Sequence, residues 1–161
     1  MIKYFPYKSI LVACSVGVAR SPMAVGFLKD FFSKRNLNIE VFSGGIASNA
    51  RDGMLISLDA KLVMKELGIK LSDSAESFDL KKHKDLIKKA ELILTLTNQH
   101  KQDLLKFQEI DNKDIYTLKE FAGESGDIED PSMKGIEGFR LIRDEIKDCL
   151  MKGLQKSLGK N

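Results

Sequence analysis

Short, fully apolar runs alternate with longer segments in which apolar residues recur every third or fourth position, and the alternation persists to the end of the chain. The first run, Ser9-Ile10-Leu11-Val12-Ala13, predicts a buried strand. Behind it, Ala24, Phe27, Leu28 and Phe31 share one helical face, so a helix is expected from Pro22 to Ser33. Ile39 to Phe42 reads as a second strand, ending in a Ser43-Gly44-Gly45 turn. A helix over Leu58 to Leu67 stops at Gly68. Leu80 to Ala90 reads as a helix leading into the strand Leu92 to Thr97, after which Asn98 caps a helix from Gln99 to Phe107. Ile115 to Leu118 is the last strand. A long helix from Gly135 to Leu158 then places Phe139, Ile142, Ile146, Cys149 and Leu150 on one face.

Such alternation predicts an α/β fold, a parallel sheet with helices on both faces. No repeat, low-complexity tract or linker interrupts it, so residues 1–161 are expected to form a single domain, with residues 1–8 as a short N-terminal extension. Composition supports this, since 43% hydrophobic and 30% charged residues are ordinary for a globular chain of this length. Nothing approaches the run of about 18 apolar residues that a membrane span needs. The start, Met1 to Tyr7, lacks the apolar core of a signal peptide. The only two cysteines, Cys14 and Cys149, make neither a disulfide framework nor a zinc pattern, which suits a reducing cytoplasm. A net charge of +3 is spread along the chain. Its one basic cluster, Lys81-Lys82-His83-Lys84 with Lys88-Lys89, reads as the solvated face of a helix. Without interleaved aromatics it gives no reason to expect a nucleic-acid partner.

The chemistry lies at residues 14–21, Cys-Ser-Val-Gly-Val-Ala-Arg-Ser, between the end of the first strand and the start of the first helix. Free backbone N–H groups at such a junction, together with the helix dipole, favour a bound dianion and an anionic cysteine. The segment can therefore wrap a phosphate through Ser15, Val16, Gly17, Val18, Ala19, Arg20 and Ser21, and attack it with Cys14. Its place past the carboxyl end of a strand is where parallel sheets bind ligands. A thiolate attacking a phosphomonoester expels an oxyanion that needs a proton. The acidic loop Gly123 to Pro131 offers Asp130 as the candidate acid.

Cys14-x5-Arg20-Ser21-Pro22-Met23-Ala24, with Asp130-Pro131 late in the chain, resembles the low-molecular-weight protein tyrosine phosphatase family. Ser43-Gly44-Gly45, the strand Leu92 to Thr97 and Leu118-Lys119-Glu120-Phe121 extend the resemblance over the chain beyond about residue 8. It is closest to bacterial members, and Asn98-Gln99-His100-Lys101-Gln102 is similar to the branch that acts on phosphoarginine. The resemblance implies a four-stranded parallel sheet, no metal and no cofactor, and a phosphorylated protein as partner for a monomer or weak dimer. It makes Cys14 the nucleophile, Arg20 a bidentate grip on two phosphate oxygens and Ser21 a donor to the Cys14 sulfur. Asp130 would protonate the leaving group and must be protonated while Cys14 is ionised. His83 and His100 are expected to be surface residues rather than ligands.

The chain departs from the family pattern in the loop. Val16-Gly17 replaces Gly-Asn, which removes a side chain that would rigidify the cradle and meet Ser43, so a looser loop is expected. Ala19 replaces a second cysteine, so Cys14 has no protective disulfide partner there. Val18 lacks the hydroxyl found in the phosphoarginine branch and favours an aryl phosphate, so hydrolysis of phosphotyrosine is expected. Ser132-Met133-Lys134 and the Gly45 to Gly53 loop nevertheless lack an aromatic wall for a tyrosine ring, which keeps protein-arginine phosphatase as the alternative. A non-catalytic phosphate-binding module is a third reading. Reduction of arsenate would need further cysteines, and only Cys149 remains.

Overall fold

The computed structural model describes residues 4–158, so Met1 to Lys3 of the expected N-terminal extension lie outside the described residues. The elements run β1 (Ser9–Cys14), α1 (Arg20–Lys34), β2 (Glu40–Gly45), α2 (Leu58–Lys65), α3 (Lys84–Lys89), β3 (Leu92–Thr95), α4 (Asn98–Leu105), β4 (Asp114–Thr117), α5 (Leu118–Phe121) and α6 (Gly135–Ser157). All strands pair in parallel in the order β2-β1-β3-β4. The expected fold class is therefore the observed one.

β1 is buried along its whole length because both of its faces are covered. Alternate residues point to opposite sides of the sheet. Ile10, Val12 and Cys14 join a core with Phe27, Leu28, Phe31 and Phe32 of α1 and Phe139, Ile146 and Leu150 of α6. Leu11 and Ala13 join the other, with Leu80, Ile87 of α3, Ile93 of β3 and Leu104 of α4. Outside the cores, Glu66 at the end of α2 receives Arg140 and Arg143 of α6, which clamps these two helices over one face.

Boundaries differ from the sequence expectation where backbone partners decide. Ser43-Gly44-Gly45 is not a turn but the end of β2, drawn into the sheet by pairing with Val12, Ala13 and Cys14. α1 starts at Arg20, with Ala19 at the cap and Pro22 in the first turn, where it gives up no hydrogen bond. The helix expected over Leu80 to Ala90 shrinks to Lys84–Lys89, because the preceding residues close tighter turns, with Lys82 N–H on the Asp79 carbonyl and His83 N–H on the Leu80 carbonyl. Thr97, not Asn98, caps α4. Leu118 opens α5 after a capping box between Thr117 and Glu120 rather than ending β4. The basic cluster is only partly a solvated helix face: Lys81 ion-pairs with buried Asp79 and donates to the carbonyl of Ala47. Among the described residues, no helix is long and apolar enough to cross a membrane.

The register sets Cys14 opposite Gly45, and the segment after Cys14 lies directly on that glycine. A Cβ at Gly45 would stand 2.5 Å from the carbonyl oxygen of Val16 and nearer still to its carbonyl carbon. Backbone cannot yield there as a flexible side chain could. Gly45→Ala is expected to destabilise the protein by about 2–4 kcal/mol, read from urea unfolding midpoints. A change below about 0.5 kcal/mol would show that the segment moves aside freely.

Candidate active site

Residues 14–20 form a turn around the Cys14 sulfur. Gly17 donates its amide to Cys14 Sγ at 3.3 Å, and Ser21 Oγ lies 3.1 Å from the same atom. Gly17 reaches this position with φ of 88°, a left-handed conformation that glycine adopts without strain. The loop's outer side is fastened by the chain that follows β2. Ile46 donates to the carbonyl of Cys14, Ala47 to that of Ser15 and Ser57 to that of Val18, at 3.0, 2.9 and 2.8 Å. With these carbonyls turned outward, the amides of Ser15, Val16, Val18 and Ala19 have no backbone partner among the described residues. Unpaired amides beside a nucleophilic sulfur form an anion cradle.

The looser loop expected from Gly17 finds a physical counterweight here. A side chain at 17 would begin 2.9 Å from the amide nitrogen of Gly45, so backbone occupies the space and supplies the support. In place of the contact that an asparagine side chain would make with Ser43, Gly17 packs on Gly44 and Gly45.

Arg20 is buried, 5% exposed, at the start of α1. Its Nη1 donates to the carbonyl of Ile128 at 2.7 Å and its Nη2 to Ser15 Oγ at 3.2 Å. Neither acceptor is charged. Among the described residues this buried guanidinium makes no ion pair, which leaves its charge available to an anion. The Ile128 contact also links Arg20 to the acidic loop. That loop is fixed by Ile128 N–H to the carbonyl of Leu96 at 2.9 Å, and by Asn98 N–H to Asp127 Oδ1 at 2.8 Å.

Asp130 stands on this loop, exposed, with Oδ1 accepting the amide of Ser132 at 2.9 Å. Partial burial pushes its pKa up, but the hydrogen bonds from Ser132 and the charges of Arg20 and Lys134 outweigh this and leave it below the ordinary carboxylate value. The protein's own groups thus favour the carboxylate, whereas the expected acid role needs the protonated form, so that form requires the negative charge of a phosphoryl group next to it. Met133, with φ of 71°, is fully exposed beyond Asp130. Among the described residues, no three His, Cys, Asp or Glu side chains cluster to hold a metal ion.

Sequence reasoning missed His100. Expected at the surface, it is 4% exposed and touches the loop, with Nε2 lying 2.8 Å from Ser15 Oγ. Its Nδ1 accepts the amide of Thr97 at 3.2 Å, completing a reciprocal cap at the start of α4. The available signal was the Thr97-x-x-His100 spacing, which matches a capping box with an imidazole in the acceptor's place. His83 also differs from a free surface residue: its Nε2 engages both oxygens of Asp52 at 3.0 and 2.9 Å.

A cysteine, an arginine and unpaired amides around one point at a strand-to-helix junction define a phosphate-handling enzyme of the cysteine-nucleophile type. A family model described as "Low molecular weight phosphotyrosine protein phosphatase" matches residues 9–161. The chain belongs to that family, whose members are cysteine-dependent phosphatases. It is 29% identical to a protein-arginine-phosphatase of Bacillus subtilis, over 94% of this chain and 97% of that protein. It is 34% identical to the low molecular weight protein-tyrosine-phosphatase PtpB of Staphylococcus haemolyticus, over 85% of this chain and 91% of that protein. Among solved structures, the YwlE arginine phosphatase from Geobacillus stearothermophilus superposes with a TM-score of 0.80 at 37% identity, covering 94% of this chain and 92% of its own.

Burial, then the nearby Arg20 charge, lowers the His100 pKa from 6.5 to about 4, while Asp103, Asp127 and Asp130 act in the opposite sense. With the folded value below the unfolded one, His100 makes stability fall as pH drops from 6.5 toward 4. Long-range proton–nitrogen NMR should find its ring neutral, with hydrogen on Nε2, throughout pH 5.5–8. An Nδ1–H tautomer or a protonated ring in that range would contradict the assignment.

Proposed function

We propose that the chain is a protein phosphatase that removes phosphate from phosphotyrosine through a phosphocysteine at Cys14. The observation that carries this reading is a buried Arg20 that has no ion-pair partner among the described residues, set beside amides without a backbone partner there and the Cys14 sulfur. The amides of Ser15 to Arg20 hold the phosphoryl oxygens, and the Arg20 guanidinium binds two of them as a fork. The Cys14 thiolate attacks phosphorus. A P–S bond forms, the P–O bond breaks, and its electron pair leaves on the phenolic oxygen, which takes a proton from Asp130. Asp130 begins this step protonated because the bound dianion opposes the acidifying charges of Arg20 and Lys134. Water then attacks phosphorus and gives its proton to the Asp130 carboxylate. The P–S bond breaks and phosphate departs, while a hydrogen bond from Ser21 Oγ eases the return of the thiolate.

The relatives' names divide between tyrosine and arginine phosphatases. Val18 supports the aryl ester, since an aliphatic side chain offers a guanidinium no hydrogen-bond partner. Protein-arginine phosphatase stays as the second reading, favoured by the named activity of the Bacillus relative, with the same nucleophile breaking a P–N bond. The reading further takes residues 1–161 as one phosphatase domain acting on phosphorylated protein, as a monomer or weak dimer in the cytoplasm. Its two free cysteines suit a reducing compartment.

Matched phosphotyrosine and phosphoarginine peptides test the assignment side by side. Faster release of phosphate from phosphotyrosine is expected, with no turnover by Cys14→Ser. Asp130→Ala should lower kcat by about 100-fold for poor leaving groups and by under tenfold for good ones. A preference for phosphoarginine would replace the substrate. Equal losses for both leaving groups would remove Asp130 from the acid role.

A further inference from the structure

His100 belongs to α4, on the far side of the sheet from α1, yet its ring reaches the loop between β1 and α1. The bonds it makes have fixed directions. A backbone N–H can only donate, so the contact from Thr97 leaves Nδ1 without hydrogen and puts the hydrogen of a neutral ring on Nε2. Nε2 therefore donates to Ser15 Oγ. The same oxygen accepts from Arg20 Nη2. Both of its lone pairs are then used, and the rotor that would otherwise let this hydroxyl turn away from Arg20 is locked. The lowered pKa of His100 agrees with a ring that stays neutral against the charges facing it, Arg20 of α1, Asp103 of α4, and Asp127 and Asp130 of the acidic loop.

We propose that His100 is a positioning residue: by donating from Nε2 to Ser15 Oγ, it aims an oxygen lone pair at Arg20 Nη2 and holds the guanidinium in register over the phosphate-binding loop. Among the described residues Arg20 has two polar anchors, the Ile128 carbonyl on the acidic loop and the Ser15 hydroxyl on the cradle. The first ties the guanidinium to the segment that carries Asp130. The second ties it to the loop that carries Cys14. His100 sets the second, so an element across the sheet governs where the cation sits relative to the transferring phosphoryl group. This inference rests on the reading of Arg20 as the phosphate grip.

The test is a double-mutant cycle between His100→Ala and Ser15→Ala, with p-nitrophenyl phosphate as substrate and orthovanadate as the inhibitory phosphoryl mimic. In the wild-type background, His100→Ala should lower kcat/KM and raise the vanadate inhibition constant together, each by about tenfold. In the Ser15→Ala background, the same change should cost less than about twofold in either quantity. His100→Gln, whose amide can donate from near the Nε2 position, should recover activity to within about threefold of wild type, while His100→Leu should not. The unfolding midpoint should drop in both backgrounds, because the cap on α4 is lost either way. If the losses in activity are equally large with and without Ser15, His100 acts through general stability and the inference is overturned. It is overturned as well if Leu serves as effectively as Gln, a comparison that can still be made should His100→Ala fail to fold. Wild-type protein that neither hydrolyses p-nitrophenyl phosphate nor binds orthovanadate would overturn the phosphatase reading itself, and this inference with it.

Discussion

The contact on which the rest depends is between backbones: the loop after Cys14 lies on Gly44 and Gly45 at the end of β2, with no room for a Cβ between them. Parallel pairing of β1 with β2 sets Cys14 opposite Gly45, and the strand end becomes a floor for the loop. Because the floor is backbone, the loop can turn its carbonyls onto the segment from Ile46 to Ser57 and leave amides free around the sulfur. Gly17 completes the turn with a left-handed φ, and its amide points at Cys14 Sγ. Anion affinity thus arises from where carbonyls are spent, before any charged side chain is considered.

Arg20 adds the charge, and its burial gives that charge effect. Water cannot screen a guanidinium that is 5% exposed, and no carboxylate neutralises it among the contacts it makes. Its neutral anchors satisfy hydrogen bonds without cancelling the field. They also join parts of the chain far apart in sequence, since Ile128 carries the acidic loop and Ser15 leads through His100 to α4. A phosphoryl group bound there would meet a cation already oriented, so little reorganisation is needed during transfer. Asp130 responds to the same field. Hydrogen bonds from Ser132, then the charges of Arg20 and Lys134, hold it as a carboxylate, and the arriving dianion shifts it toward the acid.

Much of this was legible in the sequence because it rests on local patterns. The buried run at β1, the helical period of α1 and α6, and the Cys14 to Ser21 spacing each declare themselves within a few residues. What escaped depends on partners distant in the chain. The Ser43-Gly44-Gly45 stretch has the composition of a turn, and only pairing with Val12 to Cys14 makes it strand. Leu80 looks like the start of a helix, yet its amide joins the end of β2 at Gly45 and the helix begins only at Lys84. His100 sits in a polar stretch that reads as surface, and its burial follows from the approach of Ser15 across 85 residues of sequence. In each case a long-range hydrogen bond overrode a correct local preference.

The central claim is that Cys14, lying in this cradle, takes the phosphoryl group onto sulfur. The most direct measurement is acid quenching during turnover of an aryl phosphate by Asp130→Ala, followed by peptide mass analysis of the trapped protein. The account predicts a phosphoryl adduct on the peptide containing Cys14, absent when Cys14 is replaced by alanine under the same quench. Turnover with the adduct on another side chain, or with none while phosphate is released at an undiminished rate, would contradict it.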